Sequence, residues 1–542
     1  MIADGRMQDW PLLVSRLIDH AALNHGSRPV VSLAVEGGVH RSDWRTVRGR
    51  ALKVAQSLDR LGIHPGDRVA TLAWNTHRHV ESWYGISGMG GVAHTINPRL
   101  FADQIVYIAN HAADRVLFFD LSFMALVEAI APRLETIEHW VVLTDAAHLP
   151  ASSLPLVAYE DLIADADGDY RWATLDETAP AGLCYTSGTT GNPKGVLYSH
   201  RSNVLHAMTA SMTDTYGMSQ RTAVLPIAPM FHANAWGIPY TAALVGAKLV
   251  LNGPNFDAPT LTRLIADEGV TFSLAVPTVW LSILQHLDRS GEGLGQLERV
   301  AIGGSAVPRS MIEAFAARGV TVGHLWGMTE MSPLGTLGVL CSNALALPPA
   351  GQVDMQCKQG RAAFGVEMKI IGEDAVELPR DGVAFGRLLV RGPWVVGEYF
   401  RGDGGEVLDE AGWFDTGDVA TIDGFGYMQI VDRSKDVIKS GGEWISSIDL
   451  ENAAVGAPGV AEAAVIGLPH PKWDERPLLL VLAREGETVT KQGVLDYLEP
   501  RIAKWWTPDE VLIVDDLPHT ATGKLLKTEL RARYKDFKLP TA

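Results

Sequence analysis

The chain has 542 residues, too many for one hydrophobic core, so two or more domains are expected. Its 63 acidic against 46 basic side chains leave a net charge of −17, which repels nucleic acid and anionic membrane surfaces and excludes both as default partners. Three scattered cysteines (Cys184, Cys341, Cys357) without a CxxC pair exclude a disulfide framework and a thiolate zinc site. The charge-broken N-terminus and the lack of a long apolar run predict a cytoplasmic protein with no integral membrane segment.

In chain order, a helical pattern over Ser42–Leu61 precedes strand candidates Val69–Trp74, Arg115–Asp120 and His139–Thr144. Further strands are expected at Ala223–Ile227, Ala247–Leu251, Phe272–Val276, Arg299–Ile302 and Val322–Leu325. Helical patterns Ala258–Glu268, Thr278–Leu287 and Pro308–Arg318 fall between them. Such alternation implies an α/β layout with largely parallel sheets. After about residue 360 the pattern turns β-rich (Gly386–Arg391, Gly426–Val431). A helix then starts near Ser446, followed by strands Ala463–Gly467 and Pro477–Ala483, a helix over Lys491–Ile502 and a basic tail. The fold class read from this order is α/β: a large N-terminal domain over 1–433, with a small β-rich section, and a small α+β domain over 434–542.

The short apolar strand Ala181–Tyr185 runs into Thr186-Ser-Gly-Thr-Thr-Gly-Asn-Pro-Lys-Gly195. Glycines let backbone N–H groups approach a polyphosphate, the hydroxyls of Thr186, Ser187, Thr189 and Thr190 donate hydrogen bonds, and Lys194 supplies countercharge. A Walker A loop is excluded because GxxxxGK[ST] is absent. A Gly/Ser/Thr-rich surface turn fits the composition equally well, but does not explain lysine and proline directly behind a buried strand.

The string YTSGTTGNPKG resembles the signature loop of the adenylate-forming superfamily of acyl-CoA synthetases, luciferases and peptide-synthetase adenylation domains, and further motifs follow in that family's order. Loop residues Thr186, Ser187, Gly188, Thr189, Thr190 and Lys194 are thereby implied to bind ATP. The resemblance makes His232 and Trp236 of FHANAW the carboxylate side and the gate of the acyl pocket, with Gly303, Met331 and Pro333 beside them. Gly303-Gly304-Ser305 and Trp326-Gly327-Met328-Thr329 become the adenine and α-phosphate side. Thr186 and Glu330 become ligands of Mg²⁺, which prefers one or two carboxylates together with phosphates and water. Asp418 of WFDTGD and Arg433 are implied to hold ribose, Lys435 to be the hinge of a mobile C-terminal cap, and Lys439, Gly441, Gly442, Glu443 and Trp444 to face coenzyme A. Lys524 of PHTATGK is implied to be the mobile catalytic lysine.

Taken alone, each of these motifs also has a structural explanation: a packed histidine, a capped turn, an Asx turn, a solvated lysine. The resemblance implies an AMP-forming acyl-CoA ligase using ATP, Mg²⁺ and coenzyme A on a small carboxylic acid, and a homodimer. No aspartate stands beside His232 to pair with a substrate amine, which argues against an amino acid. The chain is most similar to medium- and long-chain fatty acyl-CoA ligases and to bacterial 3-(methylthio)propionyl-CoA ligases, which implies a short or medium apolar acid. A long-chain acid, or a carrier-protein thiol in place of coenzyme A, is the alternative.

Overall fold

The computed structural model describes residues 7–186, 192–440, 443–519 and 525–542. Four segments rich in β-branched and aromatic residues, Arg68–Leu72, Val92–Thr95, Val116–Phe119 and His139–Val142, form the parallel centre of a seven-stranded sheet. Leu156–Ala158 closes one edge, and the hairpin Pro180–Tyr185/Gly195–Ser199 the other. All four side chains of Val116–Phe119 are buried, as expected for a strand covered on both faces.

A second, nine-stranded sheet has a parallel middle, running in order Thr321–Gly327, Arg299–Ile302, Phe272–Ala275, Ala223–Pro226, Lys248–Leu251 and Pro29–Leu33. Its antiparallel edges are Val39–Asp43 at one end, Leu334–Leu337 and Arg361–Ala362 at the other. One apolar cluster takes in Val69 and Ala93 of the first sheet, Leu249 and Leu274 of the second, and Trp44, Val47, Ala51 and Leu58 of the helix Trp44–Arg60. Spacings of three, four and seven place those four side chains on one stripe. Asp43 caps that helix, its carboxylate accepting the Thr46 N–H at 2.8 Å.

A four-stranded antiparallel sheet follows: Glu367–Ile371, Phe385–Arg391, Phe414–Ile422 and Met428–Arg433. The last sheet pairs Val460–His470 with Asp474–Ala483, flanked by Ile438–Ser440, Glu443–Ile445 and Glu510–Val514. Alternation along Asp474–Ala483 sends Leu479 and Val481 into one cluster, with Leu450 and Leu498. Leu478 and Leu480 join a second, with Leu517 and Leu530. The architecture is the expected one: a large N-terminal α/β part dominated by parallel sheets, and a smaller C-terminal α+β part.

Most expected elements appear within two residues of their predicted ends. The helix expected to Ile502 stops at Leu498: Glu499 keeps helical backbone, but Pro500 lacks the N–H needed to continue the ladder. The strand at Val322–Leu325 is longer, Thr321–Gly327, and carries Trp326 to Asp418 behind the cleft. The helix His77–Gly88 is buried on every side, its polar residues His77, Glu81 and Ser82 included, so periodicity did not reveal it.

Candidate active site

A cavity of about 1360 Å³ opens between the large N-terminal part and the C-terminal sheet. The strand Thr321–Gly327 points into it and ends at Gly327, where a Cβ would stand 2.0 Å from the Pro333 carbonyl oxygen; only glycine fits. Just before that turn, Trp326 Nε1–H donates to Asp418 Oδ2 at 2.8 Å. The register Asp418↔Arg433 then brings Arg433 Nε to within 2.9 Å of Asp418 Oδ1. Two donors, one cationic, thus fix a carboxylate that is 3% exposed, leaving its remaining lone pairs in a defined plane.

The two ends of the Gly/Ser/Thr-rich segment meet: Thr186 N–H donates to the Lys194 carbonyl at 2.9 Å, and Lys194 N–H to Thr186 Oγ1 at 3.1 Å. Lys194 Nζ lies 4.9 Å from the Tyr399 ring centre, and the Tyr399 hydroxyl donates to Glu330 Oε1 at 2.8 Å. Burial, then the Glu330 charge, pushes the Tyr399 phenol far above its ordinary range, so it remains a donor. Backbone contacts secure the same corner: Val396 N–H donates to the Glu330 carbonyl at 2.7 Å, and the Tyr198 hydroxyl to the Thr329 carbonyl at 2.6 Å. Glu330 and Thr186 both line the cavity and offer only oxygen, a donor set that suits a hard divalent cation.

Opposite this polar corner, His232 and Trp236 line the cavity with Ile227, Phe231 and Ala275. Ala233, Asn234, Ala235 and Trp236 all adopt left-handed backbone, with φ of 43°, 56°, 47° and 55°. Such residues cost roughly 1–2 kcal/mol each, so the surrounding contacts must over-determine the turn. Pro229 O accepts from the N–H groups of His232 (3.0 Å) and Ala235 (3.1 Å), and Tyr216 OH donates to the Trp236 carbonyl at 3.2 Å. His206 lies under Gly237, where a Cβ would come 2.5 Å from its Cε1. It also accepts the Leu334 N–H through Nε2, and burial lowers its pKa to about 3.

Of the other expected residues, Gly304, Ser305, Met328 and Pro333 line the cavity. Gly303, Trp326, Asp418 and Met331 do not. A Cβ on Gly303 would meet Leu325, and Met331 is fully buried in the cluster containing Trp326 and Val390.

The C-terminal part contributes His519, Leu525, Lys527, Glu451 and Asn452 to the cavity wall, facing Arg433 and Lys435. Beside Lys435, the buried Asp432 accepts the Ser447 N–H at 2.8 Å, and Arg531 pairs with Asp436 at 2.6 Å. Lys527 Nζ pairs with Glu451 Oε1 at 2.7 Å; burial raises the Glu451 pKa to about 7 against the pull of Lys527. Lys439 stands on the hairpin Ile438–Ser440/Glu443–Ile445, outside the cavity lining, its N–H donating to Glu475 Oε2 at 3.0 Å. Ser187, Gly188, Thr189, Thr190, Gly441, Gly442 and Lys524 lie outside the described residues, as do the side chains of Glu443 and Trp444.

Sequence reading missed Tyr399 and Arg99. The Arg99 guanidinium lines the cavity against Phe256, Phe231 and Trp74, 5.0, 5.8 and 6.0 Å from their ring centres. Neither residue sits in a motif whose spacing announces chemistry.

A family model described as AMP-binding enzyme matches residues 18–400, and one described as AMP-binding enzyme C-terminal domain matches residues 449–524. The 3-methylmercaptopropionyl-CoA ligase of Ruegeria lacuscaerulensis is 50% identical over 98% of this chain and 99% of its own. The medium-chain-fatty-acid–CoA ligase of Ectopseudomonas oleovorans is 48% identical over 99% of this chain and 98% of its own. A solved anthranilate CoA ligase in complex with anthranoyl-AMP shares the fold, with a TM-score of 0.87 at 24% identity over 98% and 99% of the two chains. The chain belongs to the AMP-binding enzyme family. Within it, the chain is an acyl-CoA ligase of the adenylate-forming kind.

Proposed function

We propose that this enzyme activates a short or medium apolar acid, such as 3-(methylthio)propionate or a medium-chain fatty acid, as its acyl-adenylate and passes the acyl group to coenzyme A. The supporting observation is the two-sided cavity: polar at Lys194, Glu330 and Arg433, the last paired with Asp418 just behind the lining, and apolar at Ile227, Phe231 and Trp236. In the first half-reaction the carboxylate attacks the α-phosphorus of ATP and pyrophosphate leaves. In the second, the coenzyme A thiol attacks the acyl carbonyl and AMP leaves.

Two anions meet in the first step, so the protein's work is positioning and charge cancellation. At ~4 Å and an effective dielectric of about 20, one lysine–phosphate pair contributes about 4 kcal/mol before desolvation. In this reading Lys194 holds the departing phosphates, Asp418 and Arg433 the ribose, and His232 the carboxylate, while Lys524 bridges carboxylate and α-phosphate. Gly304, Ser305, Met328 and Thr329 border the adenine and α-phosphate, the oxygens of Glu330 and Thr186 hold Mg²⁺, and bound Mg²⁺ neutralises charge on the phosphates.

Residues 1–433 form the body and 434–542 a cap that turns at Lys435. In this reading Lys524 serves adenylation, and Lys439, Glu443 and Trp444 take its place for thioester formation once the cap has turned. The test is AMP release that depends on coenzyme A across straight-chain acids and 3-(methylthio)propionate. The reading expects one apolar acid of ten carbons or fewer to lead in kcat/KM; a preference for long-chain acids, or no AMP with any acid, contradicts it.

A further inference from the structure

Tyr399 comes from none of the elements that carry the phosphate lysine or the acidic corner, yet it touches both. Its hydroxyl donates to Glu330 Oε1 at 2.8 Å, and its ring centre lies 4.9 Å from Lys194 Nζ. It follows the segment whose Val396 N–H is bonded to the Glu330 carbonyl, and it leads into a loop that closes on the lysine. Gly404 in that loop has φ of 81°, and a Cβ there would stand 2.5 Å from Lys194 Nζ. One short stretch, Val396–Gly404, therefore touches both a carboxylate and an ammonium that stand on connections of different sheets.

We propose that Tyr399 is a positioning residue that couples the cation-holding carboxylate of Glu330 to the phosphate-holding ammonium of Lys194; this rests on the reading of those two residues given above. The hydroxyl occupies Oε1 and turns Oε2 toward the cation, while the ring offers the ammonium an electron-rich face that leaves its N–H groups to the phosphates. The stretch around Tyr399 thereby sets the spacing between cation and lysine before nucleotide arrives.

The test is a calorimetric titration of Mn²⁺ into the full-length protein holding the ATP analogue with a methylene between its α- and β-phosphates. With neither acid nor coenzyme A present, the outcome is separate from whether the reaction itself has been read correctly. Tyr399→Phe keeps the ring and removes the hydroxyl, and is expected to weaken Mn²⁺ binding roughly 10- to 100-fold while metal-free analogue binding stays within about twofold. Tyr399→Leu, lacking the ring as well, is expected to lose a further ~5-fold in analogue affinity. In a Glu330→Gln background, Tyr399→Phe should add nothing, since the carboxylate it orients is gone. Unchanged Mn²⁺ binding in the Phe variant, or parallel losses of Mn²⁺ and analogue binding, would overturn the proposal.

Discussion

The two walls of the cavity are built on opposite plans. On the proposed nucleotide wall, three groups are held by polar partners: Glu330 by Tyr399, Thr186 by Lys194 and, just behind the lining, Asp418 by Trp326 and Arg433. On the acyl wall, shape comes from a strained left-handed turn, Ala233–Trp236, packed among apolar side chains and wedged on His206. Hydrogen bonds to charged groups discriminate steeply, whereas one methylene in an apolar pocket is worth only about 1–3 kcal/mol. The nucleotide wall can therefore serve one chemistry with little variation, and the acyl wall can be retuned by one or two side chains.

The largest expected effect lies on the charged side. Lys524→Ala should lower acyl-adenylate formation by roughly 10²- to 10³-fold and leave thioester formation from supplied acyl-AMP nearly intact. Single-turnover assays of the two half-reactions decide this, and equal losses in both would break the assignment of the lysine to one step.

Asp418→Asn removes the charge that Arg433 meets. It should raise the KM for ATP by roughly 10- to 100-fold, the worth of a charged hydrogen bond. The KM for the acid should stay within about threefold, and a comparable rise in both would mean that the two walls are not independent.

Acidification should reach the acyl wall through His206. Its folded pKa of about 3 lies below the ordinary 6.5, so its contribution to stability is present above pH 6.5 and is lost as pH falls toward 3. The loss is on the order of 1.4 kcal/mol per pH unit below 6.5. Thermal unfolding between pH 7 and pH 5 should show a falling Tm, and His206→Gln should flatten that slope. An unchanged slope would mean that other groups govern the acid side.

Trp236→Ala enlarges the acyl side and should move the kcat/KM preference toward longer acids by about 10-fold, with the KM for ATP unmoved. The smallest effect concerns the turn itself. An Ala→Gly change inside an ordinary helix costs about 1 kcal/mol, but Ala235→Gly relieves left-handed strain and gives up only one buried methyl. Urea unfolding should show it neutral or stabilising by up to about 1 kcal/mol. A loss beyond 1 kcal/mol would show that the turn is not strained as its φ values suggest.

Reading from sequence followed the same division. The apolar strands and amphipathic helices were legible because periodicity reports burial on one face, as in Trp44–Arg60. The helix His77–Gly88 was not, since burial on every side erases the period. Thr186, Lys194 and Asp418 drew notice in sequence because their residue types stand in dense, ordered motifs, and the structure ties Thr186 to Lys194 and Asp418 to Arg433. Tyr399 was hidden because its partners Glu330 and Lys194 come from distant segments, and a tyrosine among apolar neighbours carries no local sign of what its hydroxyl will meet. Met331 was expected at the pocket from its place in the chain, but the turn after Gly327 sends it into the core. The left-handed run at Ala233–Trp236 had no sequence signal either, since alanine and tryptophan are poor hosts for that backbone and only tertiary contacts impose it.

The central claim, that the acid's carboxylate becomes bonded to the α-phosphorus before coenzyme A enters, is open to one direct measurement. An acid labelled with ¹⁸O in its carboxylate should hand one ¹⁸O to the phosphate of AMP in each turnover, read by mass spectrometry of the nucleotide product. Unlabelled AMP, or ADP and phosphate in its place, would contradict the account.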